Sequence, residues 1–327
     1  VTTIALNCIS VELNRPEFSA CTRLIFKTAP NEKSVAFFES EICCKLNNLK
    51  HLDLRGSHLQ ISGIQIFTGF LSKLESLTHL CLLDNRLGEE GARLLACALC
   101  HLTQLVHLDL GWNEIGAEGV VWLARPLSKL RRLERLALCG NGLRSNGMCR
   151  LAAALAPLAR LQHLDLGSNG FAIKSMRHLA ASLAALRNIR HLDLRANRID
   201  AEAAACLAEA LPALVLLEHL DLAGNCIGPA GTRALAAALP RLPRLRRIFL
   251  RSNSIDADGM AALAPAAAHL AGLELLALGS NPLGGGGIPP LVAAAAGGRL
   301  AGLRHLLLGS CGLGPEGIRC APPARRP

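Results

Sequence analysis

The chain has 327 residues, is 51% hydrophobic and carries a formal net charge of +10. Charged residues interrupt its apolar runs, which argues against a membrane-spanning helix. The lack of tyrosine, with only 3% aromatic residues, leaves few rings to stack on nucleic-acid bases, so a nucleic-acid partner is not favoured. The sequence also lacks the GxxxxGKS/T, GxSxG and HExxH motifs, and we predict a non-enzymatic protein with no cofactor and no metal.

Residues 1–48 contain little of the alanine that dominates the rest of the chain, and we predict that they form an N-terminal cap. Residues 1–6 are a candidate strand. Further on, Cys21, Leu24, Phe26 and Ala29 have the spacing that a regular repeat shows 28 residues later. We therefore predict one degenerate repeat in the cap, with its helix at residues 34–46.

From Leu49 onwards the sequence repeats every 28 residues. A fixed period of this length is typical of stacked units, each of which buries its apolar face against its neighbours. We predict nine full repeats in residues 49–302, a partial last repeat in residues 303–320 and a disordered tail in residues 321–327. The full repeats begin at Leu49, Leu77, Leu105, Leu133, Leu161, Ile189, Leu217, Leu245 and Leu273.

The repeat that begins at Ile189 shows the template. Ile189, Leu192 and Leu194 hold positions 1, 4 and 6, and their alternation with other residues predicts a strand with one buried face. Apolar residues at positions 19, 20, 23 and 26 have the spacing of one helix face. Position 9 is asparagine, whose amide we expect to bond backbone groups of its own and the next coil, so that stacked copies form a ladder. The asparagines at this position are Asn85, Asn113, Asn141, Asn169, Asn197, Asn225, Asn253 and Asn281.

This LxxLxLxxNxL pattern, followed by a helix, resembles the leucine-rich repeat family. The 28-residue length, with a GxxxLAxxL helix, resembles its ribonuclease-inhibitor-type subclass, and within it the sensor domain of NLR-type immune receptors. The resemblance covers residues 49 to about 317. It implies an α/β fold, a leucine-rich repeat solenoid shaped as a right-handed horseshoe, with a parallel β-sheet on the concave face and helices on the convex face.

The thirteen cysteines lie mostly on repeat positions and do not form the terminal clusters of extracellular relatives. We therefore expect reduced thiols and a cytoplasmic location. The single CxxC, Cys97 to Cys100, falls on a repeat helix and has no second pair to complete a tetrahedral metal site. We interpret its thiols as small hydrophobic side chains.

Seven of the eleven histidines fall at position 3 of the repeat, and five aspartates fall at position 5. The pattern leaves three interpretations: strand residues that pair across strands, a pH-responsive surface whose imidazolium groups would repel one another, or a metal or catalytic array. The residues are His51, His79, His107, His163, His191, His219 and His305, with Asp53, Asp109, Asp165, Asp193 and Asp221.

Positions 3, 5, 7, 8 and 10 are expected to line the concave face, where solenoids commonly bind their partners. Trp112 is the strongest single candidate, since tryptophan and arginine dominate interface energies; packing against the neighbouring turn is the alternative. Two interpretations are open for the arginines on neighbouring strands: they clamp carboxylates or phosphates, or they form a solvated basic face paired with nearby aspartates. The predicted binding residues are Trp112, Arg135, His191, Asp193, Arg195, Arg198, Arg247, Phe249 and Arg251.

These features predict a protein-interaction scaffold or sensor that binds an acidic protein through its concave face. A GTPase activator that resembles the Ran GTPase-activating family, and a cytoskeletal or ciliary scaffold, are the alternatives. No polar terminal repeat closes the array, so we also expect another subunit or a missing C-terminal segment to cover the last repeat.

Overall fold

The computed structural model describes residues 2–6, 21–26, 48–297 and 300–315. The chain forms two compact units, Val1–Asn169 and Gly170–Pro327, which are considered separately below. The predicted helix at 34–46 and the predicted tail at 321–327 lie outside the described residues.

In the first unit, strands and helices alternate from residue 51 onwards. Neighbouring strands pair in parallel and in chain order, and the register places each repeat position beside the same position of the next repeat, as in Leu24↔Leu52 and Leu52↔Leu80. The elements are β1 (Thr2–Leu6), β2 (Cys21–Phe26), β3 (His51–Asp53), α1 (Gln60–Ser72), β4 (His79–Cys81), α2 (Gly88–Leu99), β5 (His107–Asp109), α3 (Gly116–Leu127), β6 (Arg135–Ala137), α4 (Arg144–Leu155) and β7 (His163–Asp165).

The second unit repeats the same alternation, again with parallel strands in chain order. Short 3-10 turns follow α6 and α7 and precede α9. The elements are α5 (Ile173–Leu183), β8 (His191–Asp193), α6 (Ala201–Ala210), β9 (His219–Asp221), α7 (Gly228–Ala238), β10 (Arg247–Phe249), α8 (Ala257–Ala267), β11 (Leu275–Ala277), α9 (Ile288–Ala296) and β12 (His305–Leu307).

The core of each unit lies between the sheet and the helices. The residues at positions 1, 4 and 6 are buried in every repeat from Leu49 to Leu278, together with the aliphatic or aromatic residue at position 11. Burial of such side chains is the main favourable contribution to folding. The predicted fold class, an α/β repeat solenoid with a parallel sheet on one side and helices on the other, is confirmed.

The asparagine at position 9 forms the predicted ladder, and Asn113 shows its geometry. The Asn113 side-chain amide donates to the carbonyl of Leu110 in its own repeat at 3.0 Å and to that of Leu82 in the preceding repeat at 2.8 Å. Its Oδ1 accepts from the backbone N–H of Asn85 at 3.0 Å, while the Asn113 backbone N–H donates to Oδ1 of Asn141 at 3.0 Å. Side-chain donation therefore reaches the preceding coil, not the next one as the sequence predicted.

Two of the predicted repeats have another residue at position 9, and the hydrogen bonding of that residue differs between them. Ser57 is fully buried, and its hydroxyl has no hydrogen-bond partner among the described residues. Cys311 keeps part of the ladder, because its thiol lies 3.3 Å from the carbonyl oxygen of Leu278 in the preceding repeat.

The repeat helices begin in two ways. In several repeats a glycine at position 12 has a positive φ, as at Gly88 and Gly116, a conformation that costs glycine little. The Ile189 repeat instead has Asp200 there in an extended conformation, and its carboxylate accepts the N–H of Ala203 at 2.9 Å. Such a cap satisfies one of the free N–H groups at a helix start.

None of the described helices has both the length and the apolar character needed to cross a bilayer.

Replacing Asn113 by alanine is expected to destabilise the fold by about 3 kcal/mol, since it leaves the buried N–H of Asn85 without an acceptor and removes the hydrogen bonds from the Asn113 amide to the carbonyls of Leu82 and Leu110. Urea unfolding followed by far-UV circular dichroism measures this change. The matched control is Asn146→Ala, at an exposed position on α4, which should change stability by less than about 0.5 kcal/mol. Equal effects of the two substitutions would contradict a structural role for the ladder.

Candidate binding face

In each unit, the sheet face is defined here by positions 3, 5, 7, 8 and 10 of the repeats. Within most strands the middle residue is buried and the two flanking residues are half-buried, as in His51–Asp53 and His219–Asp221. This alternation follows from the period of two in a strand. Positions 3 and 5 therefore present their side chains on the surface opposite the core.

Backbone conformation limits which residues fit at the edge of this face. The residue at position 8 has a positive φ in every repeat described, and nearly all of these residues are glycine, alanine, serine or aspartate. Trp112 is the exception, with a φ of 55°. A bulky residue pays a steric cost in this left-handed region. Trp112 is nevertheless 54% exposed, so burial of its ring recovers only part of that cost.

The ring of Trp112 lies directly over Gly140, the equivalent residue of the next repeat. A Cβ atom built on Gly140 would come within 2.5 Å of the indole ring, so only glycine leaves room for the ring in this position. The backbone N–H of Trp112 donates to the carbonyl of Cys139 at 2.7 Å. Trp112 therefore packs against the neighbouring turn, as the alternative interpretation of the sequence predicted, and more than half of its surface is exposed.

In the first unit three of the histidines at position 3 form a row of contacting rings. The ring centroids of His51 and His79 are 4.0 Å apart, and those of His79 and His107 are 5.7 Å apart in an edge-on arrangement. Desolvation, followed by the charges of His51, His107, Arg135 and Arg23, lowers the pKa of His79 from 6.5 to about 4.

The pKa values of the two histidines next to His79 are lowered as well. Desolvation, and then the charge of Arg23, lowers the pKa of His51. Desolvation and Arg135 lower the pKa of His107, and Asp109 offsets part of that effect. The stack therefore favours neutral rings, as expected for cations held close together in a partly desolvated row.

The aspartates at position 5 accept hydrogen bonds from the backbone of the turn that follows their own strand. Oδ1 of Asp109 accepts the backbone N–H of Gly111 at 3.0 Å, and Oδ1 of Asp193 accepts that of Arg195 at 2.9 Å. The same contact to the residue two positions on is made by Asp53, Asp165 and Asp221. This is the local turn that aspartate commonly forms, a structural role that the sequence interpretation of cross-strand pairing missed.

In the second unit, aromatic rings continue across strands β8, β9 and β10. His191 stacks on His219 with centroids 3.8 Å apart and an interplanar angle of 13°, and His219 stacks on Phe249 at 4.8 Å. Beside them, Nε of Arg195 lies 3.5 Å from Oδ2 of the buried Asp193. The structure therefore brings these predicted residues together on adjacent strands.

The remaining predicted arginines are exposed and form no ion pair with any residue that the structure describes. Arg247 lies on β10, next to His219, and Arg251 lies at the following turn. Arg198 lies before α6, where its backbone N–H donates to the carbonyl of Phe171 at 2.8 Å. In the first unit, Arg135 lies on β6 between His107 and His163.

A row of charges along the start of the strands was missed by the sequence analysis. At position 2 of the second unit arginine and glutamate alternate, and they pair as Arg190–Glu218 at 2.7 Å and Arg246–Glu274 at 3.2 Å. The alternation could have been found by aligning position 2 of successive repeats. These paired arginines lie at position 2, outside the sheet face, and each of them pairs with a glutamate of the next repeat.

The first unit has a cleft at the same edge. It has a volume of about 560 Å³, and its lining includes Lys50, Thr78, Val106 and Arg132. The small side chains at position 2, Thr78 and Val106, leave this space where the second unit has its arginine–glutamate pairs. Nearby, Lys50 donates to the carbonyl of Ser76 at 3.2 Å.

No three metal-ligating side chains converge anywhere within the described ranges.

The fold and this face define a repeat solenoid with an exposed parallel sheet. A family model described as leucine-rich repeat matches residues 101–124, 185–208 and 215–236. These three stretches match the leucine-rich repeat family that the sequence pattern resembles.

Solved structures that this chain resembles include the internalin inlF from Listeria monocytogenes str. 4b F2365, with 20% identity and a TM-score of 0.50 over 80% of this chain and 69% of that one. A TDR receptor matches with 19% identity and a TM-score of 0.50, over 88% of this chain and 42% of the receptor chain. At these identities the likeness concerns the fold alone. No curated protein matches the chain by sequence.

We expect Trp112→Gly to be more stable than Trp112→Ala by about 1 kcal/mol, because only glycine adopts the positive φ of this position without steric cost. Both variants lose the same ring, so the comparison isolates the backbone. Urea unfolding measures the difference. A more stable alanine variant would contradict a left-handed conformation at position 112.

The lowered pKa of His79 predicts that stability falls with acidification. The folded state binds a proton less readily than the unfolded chain, so stability is complete above pH 6.5 and is lost as the pH falls towards about 4. Solvent screens this partly exposed row, and we expect a loss on the order of 1 kcal/mol for this residue. Urea unfolding across this pH range should show a shallower decline for His79→Gln than for the parent.

The matched control for this prediction is His101→Gln, which replaces an exposed histidine of the same unit outside the stack. It should follow the pH profile of the parent. Identical profiles for His79→Gln and the parent would show that the stack does not couple to protonation.

Proposed function

We propose that this chain is a non-catalytic protein-recognition module, a scaffold or sensor that binds its partner through the sheet face. The exposed indole of Trp112, held in an unfavourable backbone conformation, carries this proposal. Residues that keep an unfavourable backbone conformation although packing offsets only part of its cost are often functional. Exposed tryptophan and arginine are also the side chains that contribute most at protein interfaces.

An acidic partner surface is supported by the charge of the face. Arg135, Arg198, Arg247 and Arg251 are exposed cations without ion pairs among the described residues. Complementary charges guide association and select partners. The net charge of +10 acts in the same direction.

We further propose that the chain functions like the sensor domain of NLR-type receptors, within the ribonuclease-inhibitor-type subclass. It is supported by the regular 28-residue register of the strands and by the full helix in each complete repeat. A cytoplasmic, reducing location is proposed as well. It is supported by eight free cysteines among the described residues, three of them exposed.

Affinity capture from a cell extract, with quantitative mass spectrometry, tests the proposal. The combined variant Trp112→Ala and Arg195→Glu should lose most of the proteins that the parent retains, because it removes an aromatic anchor and reverses a charge on the sheet face. We expect a loss of about ten-fold or more in the recovery of specific partners.

The matched control combines Trp122→Ala with Arg187→Glu. Trp122 is 50% exposed on α3, and Arg187 is exposed ahead of β8 at a position outside the sheet face. This control should retain the partners of the parent. If both double variants retained them equally, the sheet face would not be the binding surface.

A further inference from the structure

The sheet face of the second unit changes character along its strands. Position 5 is aspartate on β8 and β9, but Phe249 on β10, Ala277 on β11 and Leu307 on β12. These three residues are direct neighbours, paired as Phe249↔Ala277 and Ala277↔Leu307. With Leu275 at position 3, they form what is called here the apolar strip: Phe249, Leu275, Ala277 and Leu307.

The apolar strip is accessible at the surface. Leu307 is 49% exposed, Phe249 and Leu275 are half-buried, and Ala277 forms the buried floor between them. Three strands spaced about 4.8 Å apart make the strip about 10 Å wide, enough for one or two side chains of a partner. Exposed apolar groups that cluster in this way are typical of interaction sites.

Two cations flank the strip. Arg247 pairs in register with Leu275, and Arg251 lies at the next turn of the same repeat. A Cβ atom on Gly279 would lie 4.0 Å from Cγ of Arg251, so the stem of Arg251 passes over this glycine of the next repeat. Within the described residues neither arginine has a carboxylate partner, whereas Arg190 and Arg246 at the strand entrances are both paired.

We propose that the apolar strip docks a protein segment in which an acidic side chain lies beside apolar ones. The apolar side chains would cover Phe249, Leu275 and Leu307, and the carboxylate would bind Arg247 or Arg251 in the bidentate geometry that guanidinium groups favour. This assignment rests on the proposed recognition function and specifies its partner. The carboxylates of Asp193 and Asp221, on the two strands before β10, disfavour a polyphosphate such as RNA in the same place.

The proposal is tested with the full chain on an array of short synthetic peptides in which acidic content and leucine or phenylalanine content vary independently. We expect retention of peptides that contain both. Leu307→Asp should weaken their binding about ten-fold or more, because it places a charge against the apolar contact. Arg251→Glu should weaken it similarly and shift the preference towards peptides in which lysine replaces the acidic residue.

Matched controls keep exposure and charge constant. Val215→Asp alters an apolar residue of the same unit that is 48% exposed but lies in the loop before β9, and Arg233→Glu reverses an exposed charge on α7. Both should bind peptides within about two-fold of the parent. Thermal unfolding of each variant confirms that the fold is intact.

Retention without dependence on acidic or apolar residues would overturn the proposal, and so would an unchanged preference in Arg251→Glu or the absence of any retained peptide. These results are separable from the function itself. If the double variant of Trp112 and Arg195 loses its captured partners while Leu307→Asp binds like the parent, the sheet face functions in recognition and the apolar strip does not. If neither variant loses binding, both proposals fail.

Discussion

The buried asparagine at position 9 is the constraint on which the rest of the structure depends. Its side-chain amide donates to three carbonyl groups, two in its own repeat and one in the preceding repeat, as at Asn113. Successive asparagines share these acceptors, because the carbonyl of Leu82 also accepts from Asn85 and that of Leu110 also accepts from Asn141. The Oδ1 of Asn113 in turn satisfies the buried N–H of Asn85, which would otherwise lack an acceptor. Because one side chain must reach two successive coils, the repeats have to stay in register. The fixed period of the sequence follows from this geometry.

The same turn determines what the sheet face can present. To leave the strand at the asparagine, the backbone adopts positive φ at position 8 throughout and at position 10 in many repeats. Small residues meet this requirement at low cost, and they leave the edge of the face shallow. A large side chain at position 8 is therefore not a neutral variation. Trp112 takes that position only because Gly140, in the next repeat, leaves room for its ring.

Most of the fold was predictable from the sequence, because positions 1, 4, 6, 9 and 11 each answer to a local physical requirement that recurs in every repeat. The sequence indicates which positions form the candidate face, but not how the side chains on it contact one another. The stack of His219 on Phe249 joins position 3 of one strand to position 5 of the next, and side-chain rotation of this kind leaves no periodic signal. The turn bonds of Asp109 and Asp193 were missed for a related reason, since a carboxylate two residues before an N–H group can also pair across strands.

Charge alone does not distinguish a paired arginine from one proposed to bind a partner; the residue that it faces in the neighbouring repeat does. Arg246 and Arg247 are adjacent in sequence, yet Arg246 pairs with Glu274 and Arg247 lies beside Leu275. Pairing with glutamate fixes the first guanidinium against its neighbour, at little net gain in stability because the pair is exposed. The second guanidinium forms no ion pair among the described residues and lies on the strand next to an apolar side chain. A charge next to apolar surface interacts more strongly with an incoming carboxylate than a fully solvated one does. Facing Leu275 instead of a glutamate is therefore the feature that makes Arg247, and not Arg246, a candidate for the proposed binding.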